Sequence, residues 1–322
     1  MEIDGLLIVD KPEGITSLDV VKEVKRRFCA KKAGHIGTLD PFATGVLPIA
    51  INEGTKLVPF LEEGPKEYEA TMKLGEETTT DDITGKVVFK KNLEEVTPEI
   101  LHTVFKSFFG KIQQIPPMFS AIKMRGRPLY QLARRGIEVK REEREVVIFD
   151  IQIEEIKLPK VLFRVICSKG TYIRTLGKDI GRKIGCGAHL CQLRRVRSGP
   201  FTLKQAISWK GLLDINEIHK LRPWMIPMEE ALPSLPEVVG DKRLIKKVRF
   251  GKKMLVGDLS SHVLPIFVKG QWLKITCPEE GLVAILKSEM EKTEIPQANP
   301  ESSVFRPLRV FQTKKGPNEN QL

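Results

Sequence analysis

The alternation of apolar and polar positions divides most of the chain into short elements. Residues 5–9 (GLLIV) read as a buried strand. In 16–28 (TSLDVVKEVKRRF), Val21, Val24 and Phe28 recur at helical spacing, with Thr16 or Ser17 as the cap. VLPIAI (46–51) predicts a second buried strand, and YEATMKL (68–74) alternates as a half-buried one. Thr97 and Pro98 open a helix whose Leu101, Val104, Phe105 and Phe108 form an apolar stripe, and Gly110 closes it. Strands with apolar odd positions follow at 147–153 (Val147, Phe149, Ile151, Ile153) and at 161–167. A helix over 171–185 turns Ile173, Leu176, Ile180 and Ile184 inward and leaves Arg174, Lys178, Arg182 and Lys183 on other faces.

Strands and helices mix here without regular β-α-β alternation. The pattern predicts an α+β fold: a mixed, mostly antiparallel sheet with flanking helices. Prolines 227, 233 and 236 mark a change of character, so residues 1–235 are expected to form one domain. Beyond it, a hairpin over 263–275 turning at Lys269-Gly270, a strand at 281–286 and another near 305–311 predict a small β-rich domain over 236–312. Residues 313–322 are expected to be disordered.

Composition narrows the partners. The chain has 322 residues, 41% of them hydrophobic, enough for a sizeable core. Lys and Arg number 53 against 41 acids, a formal charge of +12, which favours nucleic acid ahead of an anionic membrane surface. No apolar run approaches the roughly 18 residues of a membrane span, and acids stand where a signal peptide has basic residues. A cytoplasmic protein is expected, with its five cysteines reduced.

Residues 160–210 hold 12 Lys and Arg and a single acid, Asp179. An excess so one-sided repels itself unless a polyanion neutralises it, so this segment reads as a nucleic-acid surface against the plainer reading of a solvated face. A second basic stretch, 120–136, combines Arg with Tyr130 and with Phe119 just before it, a mixture suited to unstacked RNA bases.

The candidate chemistry lies in AGHIGTLDPFATGVLPI (33–49), where glycines and prolines shape a loop around one histidine and one carboxylate. On composition alone, Asp40 before Pro41 is more often a cap or turn residue than a catalyst, and His35 a structural side chain. GHIG also matches the G-x-x-G of a KH domain, but without that domain's framing helices.

This loop, preceded by KPEGITSLDVV (11–21) and followed by KGTYIRTLGKDIG (169–181), resembles the bacterial TruB family of tRNA pseudouridine synthases. KEYEATMKLGEETTTDDITG (66–85), IQQIPPMFSAIKMRGRPLYQLARRG (112–136) and GAHLCQLRRVRSGPF (187–201) extend the resemblance in the same order. It implies an isomerase that detaches the uracil of uridine 55 in the T loop of tRNA, turns it and rejoins it through C5, without a cofactor. It also implies a C-terminal PUA-like RNA-binding domain over 236–312 and a segment, 120–136, that contacts RNA.

By resemblance, Asp40 is the catalytic aspartate, acting as nucleophile on sugar or base or stabilising a glycal-like intermediate. Arg174 pairs with it, and Tyr68 stacks on the uracil. His35 fills the stack vacated by the flipped base, Leu193 and Tyr172 line the base site, and Asp82 joins the Asp40–Arg174 network. Lys11 and Pro12 brace the site. Phosphates are expected to meet Arg194, Arg195, Arg197 and the cations of 120–136. The expected partner is the T stem-loop of tRNA, with the protein a monomer and no membrane involved.

Two other functions remain open at this point. One is a dyskerin-type catalytic subunit of a guide-RNA particle, disfavoured because the chain begins at the KPEGITS motif and carries the 112–136 segment. The other is a non-catalytic RNA chaperone. Cys186, His189 and Cys191, with Cys167 as a fourth ligand, are a candidate zinc set, but incidental thiols are the better reading and no metal is expected.

Overall fold

Strand β1 (Gly5–Lys11) is apolar on consecutive positions, and Leu6 through Val9 are all fully buried, as suits a strand covered on both faces. It is paired by β3 (Thr44–Ile51) on one side and by the short strand Ile207–Ser208 on the other. Helix α1 (Ser17–Arg27) and strand β2 (Ala33–His35) lie between β1 and β3 in the chain. The computed structural model describes residues 3–124 and 126–312.

The main sheet continues with β4 (Lys66–Leu74), β7 (Gly110–Gln114), β8 (Arg144–Lys157), β9 (Lys160–Cys167) and β10 (Ala188–Ser198). A two-stranded ribbon, β5 (Glu76–Thr78) with β6 (Val87–Lys90), follows β4, and helices α2 (Pro98–Lys106) and α3 (Ile173–Ile184) flank the sheet. Beyond Ile207–Ser208 the strand order is β1-β3-β10-β4-β9-β8-β7. Among the described strands, β1 pairs with Ile207–Ser208 and β3 with β10 in parallel and the other pairings are antiparallel, so the sheet is mixed and mostly antiparallel. One core cluster joins Val20, Val24 and Phe28 of α1, Leu101 and Phe105 of α2, and Ile173, Leu176 and Ile180 of α3 to the sheet.

Two details depart from the sequence pattern. In β8 the buried residues are Val146 and Ile148, while Phe149 is half exposed, because a bulge between Ile148 and Asp150 shifts the alternation before Ile151 and Ile153 turn inward. The 263–275 segment is not a hairpin. The turn at Lys269 and Gly270 is present, but residues 263–268 have no strand partner, and Val263 and Ile266 are exposed.

The real hairpin joins β11 (Trp272–Cys277) to β12 (Gly281–Ser288). With β13 (Ser303–Val310), Glu237–Val239 and Met254–Leu255 they form a separate five-stranded sheet, flanked by α4 (Lys242–Arg249). The two sheets share apolar contacts. Leu282, Ile285 and Phe311 pack in one cluster with Leu6, Ile8, Val46 and Phe201, and Phe60 meets Trp272 edge-on at 5.0 Å. Residues 313–322, the expected disordered tail, lie outside the described residues. No helix among the described residues is long and apolar enough to cross a membrane.

Candidate active site

The loop between β2 and β3 is held from several sides. Thr16 caps α1, its hydroxyl accepting from the Asp19 amide at 3.1 Å, which frees Ser17 for the loop. The Ser17 hydroxyl accepts from the Leu39 amide and donates to its carbonyl, both at 2.9 Å. Lys11, fully buried, donates through Nζ to the carbonyls of Pro12 and Ile15 at 2.8 Å and of Pro41 at 3.2 Å. Burial lowers the Lys11 ammonium to about 8, against the pull of Asp40. Lys11 thus ties the turn at Pro12 and Ile15 to the loop at Pro41.

From beneath, Arg195 closes the loop. It is 1% exposed, and its guanidinium donates to the carbonyls of Val46 at 2.8 Å and Gly37 at 3.0 Å. Gly45 makes this approach possible. It has φ +105°, and a Cβ there would fall 2.2 Å from the Arg195 carbonyl oxygen.

Asp40 emerges from this frame with its side chain 32% exposed and meets the almost wholly buried Arg174 of α3. The pair is bidentate, Nε to Oδ2 at 2.8 Å and Nη2 to Oδ1 at 3.0 Å. The fork is aimed by two further bonds, Nη1 to the Thr80 carbonyl at 3.0 Å and Nη2 to the Phe119 carbonyl at 2.8 Å. Arg174 thus lies inward, not on an outer face of its helix, because a carboxylate and two carbonyls replace the water it loses. Burial pushes the Asp40 carboxyl up from its ordinary value, while Arg174 and Lys11 favour its ionised form.

Asp82 is buried with its Oδ2 3.8 Å from Arg174 Nε. Its carboxylate mainly accepts from its own turn, from the Thr80 hydroxyl at 2.6 Å and the Thr84 amide at 2.9 Å. It is a second anion beside the same guanidinium.

Sheet register brings Tyr68 to this loop. On β10, Arg195 stands opposite Gly45 of β3 on one side and Tyr68 of β4 on the other. Tyr68 is buried with Leu39, Phe42 and Leu193 in one cluster, and burial raises its phenol from the ordinary value. Tyr172 caps α3, its amide donating to Gln114 Oε1 at 3.1 Å, and burial raises its phenol too. Asp40 acts electrostatically on both phenols. His35 is half-buried on β2 with Nδ1 buried and unpartnered, and burial together with Arg195 lowers its pKa, so the ring is neutral near pH 7.

The phosphate assignment of Arg195 needs correction. Arg195 is sealed in the core and gives its charge to loop carbonyls, so it cannot offer it to an RNA backbone. Arg194 forms a bidentate pair with Asp10 at 3.1 and 2.8 Å, and Arg197 donates to Glu67 at 2.8 Å. Of the candidate zinc set, His189 Nδ1 lies 3.1 Å from the Glu76 carbonyl and Cys186 donates to the Gly187 carbonyl, while Cys191 Sγ lies 3.9 Å from His189 Nε2. Among the described residues no group of three or more His, Cys, Asp or Glu is arranged to hold a metal ion.

Sequence reasoning missed the Thr80 and Phe119 carbonyls, since any residue supplies a carbonyl. It read Ser17 only as a cap. The capping box between Thr16 and Asp19 was the signal that Ser17 was free for another task.

Comparison with known proteins adds the chemistry. The family model for the N-terminal domain of TruB family pseudouridylate synthases matches residues 25–173, and that for the tRNA pseudouridylate synthase B C-terminal domain matches 174–233. The chain is 48% identical over 249 residues to tRNA pseudouridine synthase B of Geobacter sulfurreducens, covering 77% of this chain and 82% of that protein. The chain belongs to the TruB family of pseudouridylate synthases.

The bidentate pair at the heart of this TruB site joins the two family segments, Asp40 lying in the first and Arg174 opening the second. The resemblance extends along most of the chain. Identity to tRNA pseudouridine synthase B of Syntrophus aciditrophicus is 41%, over 96% of this chain and 99% of that one. A chain in the structure of an H/ACA RNP bound to a substrate RNA containing 2′-deoxyuridine is also similar, with a TM-score of 0.74, 30% identity, and coverage of 96% of this chain and 85% of that one.

Proposed function

We propose that this TruB-family enzyme converts uridine 55 in the T loop of tRNA to pseudouridine, with Asp40 as the catalytic carboxylate. The Arg174 fork on Asp40 carries this reading: a guanidinium fixed by two carbonyls holds one partly exposed carboxylate in a single orientation. The reaction breaks the C1′–N1 bond and forms C1′–C5, and C5 loses a proton while N1 gains one, so it is redox neutral and requires no electron carrier. The uridine is buried in a folded RNA loop and must flip out, at a cost of a few kcal/mol. Neutral His35 suits the vacated stack, Tyr68 and Leu193 form apolar walls for the uracil, and Tyr172 borders the site. Asp82 completes the charge network around Arg174.

RNA phosphates are assigned to residues 120–136, where Lys123, Arg127, Arg134 and Arg135 are exposed. Residues 236–312 act as a PUA-like RNA-binding unit, and the enzyme works as a cytoplasmic monomer. A tRNA-folding activity is compatible with this, since flipping loosens the folded loop. The guide-RNA alternative has less support, because identity to bacterial tRNA pseudouridine synthase B reaches 55%, over 206 residues, against 30% for the H/ACA RNP chain.

The test is to map pseudouridine in tRNA and in an isolated T-arm stem-loop treated with the purified protein. Both are expected to be modified at position 55. Asp40→Asn should lower the single-turnover rate at saturating tRNA by about 10³-fold or more and Arg174→Lys by about 100-fold, with affinity within about twofold. A near-normal rate for Asp40→Asn would remove it as the catalytic group.

A further inference from the structure

Arg174, Lys178 and Arg182 are spaced at i, i+4 and i+8 and so line one face of α3. All three reach the segment 77–82. Arg174 donates to the Thr80 carbonyl at 3.0 Å, Lys178 pairs with Asp81 at 2.8 Å, and Arg182 is bidentate to Glu77 with both bonds at 2.8 Å. Arg182 is mostly exposed, whereas the Lys178 and Asp81 side chains are 19% and 11% exposed, so the middle rung is the better shielded one.

The turn beneath this rung is conformationally demanding. Asp81 has φ +61°, in the left-handed region that Asp and Asn tolerate better than most residues. On one side of it lies the carbonyl that aims Arg174, and on the other lies Asp82, whose carboxylate is 3.8 Å from Arg174 Nε while that of Asp40 is at 2.8 Å. Arg174 therefore stands between two anions, bonded to Asp40 and with Asp82 1.0 Å farther from Nε. Lys178 also supplies the positive charge that offsets Asp81, packed next to the buried Asp82.

We propose that the Lys178–Asp81 ion pair is a positioning pair for the reaction: it fixes the 79–82 turn against α3 and so keeps the Arg174 fork on Asp40 and away from Asp82. The inference rests on the reading of Asp40 and Arg174 as the catalytic pair. Neither Lys178 nor Asp81 touches the reacting atoms. Without the pair, the turn is free to move and Asp82 competes for the guanidinium.

The experiment compares Lys178→Met, Asp81→Asn, their double variant and Lys178→Arg in the full-length protein. Asp81→Asn removes the charge while keeping a residue that accepts the left-handed backbone. Each single neutralisation should lower the single-turnover rate at saturating tRNA by about 10-fold, leave Kd within about twofold, and shift the melting temperature by only about 2 °C. The double variant should be no slower than either single, since both remove one interaction, and Lys178→Arg should recover most of the rate. Additive losses overturn the proposal. So does a rise in Kd with an unchanged saturated rate, which would make Lys178 a phosphate contact, and so does a lower melting temperature with an unchanged rate. An active Asp40→Asn would sink the reading of the site itself, whereas an inactive Asp40→Asn beside normal Lys178 and Asp81 variants would sink this inference alone.

Discussion

In the 160–210 segment, Arg164 and Arg197 share Glu67, Lys169 reaches Glu63, and Arg174 holds Asp40. Lys178 pairs with Asp81, Arg182 with Glu77 and Arg194 with Asp10, while Arg195 is spent on buried carbonyls. In the 120–136 segment, by contrast, Lys123, Arg127, Arg134 and Arg135 are exposed and make no ion pair among the described residues, and Arg134 lies 5.5 Å over the ring of Tyr130. Both stretches look like nucleic-acid surfaces in the sequence. In the fold, seven of the twelve cations of the larger stretch pair with carboxylates from residues 10–81, whereas the smaller stretch shows no such pair among the described residues. Charge density along a chain is thus a poor guide to free charge, because pairing is decided by strands that neighbour one another in space.

The largest effect is expected at the most buried cation. Arg195→Met should destabilise the protein by about 3 kcal/mol, since the Gly37 and Val46 carbonyls lose their donor, and should leave the salt dependence of RNA binding unchanged in the folded fraction. Chemical denaturation and binding titrations at several salt concentrations check both parts. A stable variant with a shallower salt slope would return Arg195 to the RNA interface.

The opposite behaviour is expected in the other region. Neutralising Arg127, Arg134 and Arg135 together should weaken tRNA binding about 10-fold or more and lower the log Kd against log salt slope by about 2, with no loss of stability. Unchanged affinity would mean that the unpaired cations are only solvated.

The smallest effect concerns the one acid within 160–210. Burial pushes Asp179 up to about 6, beside Lys178, Arg182, Asp81 and Glu77. A carboxyl raised in the fold favours its protonated form, so its contribution to stability is full below about pH 4 and is lost as pH rises through about 6. Asp179→Asn should therefore gain on the wild type between pH 4 and 7, by on the order of 1 kcal/mol, and hold that gain at higher pH. Parallel denaturant titrations across this range read the difference, and a constant offset would show that Asp179 does not titrate there.

Much of the fold was legible because its signals are local. The apolar stripe of α2, the strand pattern of β1 and β3, and the glycines and prolines of the 33–49 loop each depend on neighbours within a few residues. Phe149 and the 263–268 segment were misread for a physical reason: a bulge reverses the inside and outside of a strand without changing its composition, and an apolar segment forms a strand only if a partner edge is open. In the candidate site, the resemblance singled out Asp40, Tyr68 and Arg174, but their geometry came from elsewhere.

The main elements, the shaped loop around Asp40 and the family resemblance could be read along the chain, since helix and strand periodicity and ordered motifs are written in one dimension. Which cations are paired among the described residues depended on the packing of distant segments. This packing placed Arg195 beneath the loop where Gly45 leaves room for it, and Lys178 on the turn that flanks the Arg174 fork. These partners lie 97 to 158 residues apart in the chain. Their bonds exist because the sheet sets β10 between β3 and β4 and packs α3 against it, a juxtaposition that no local pattern encodes.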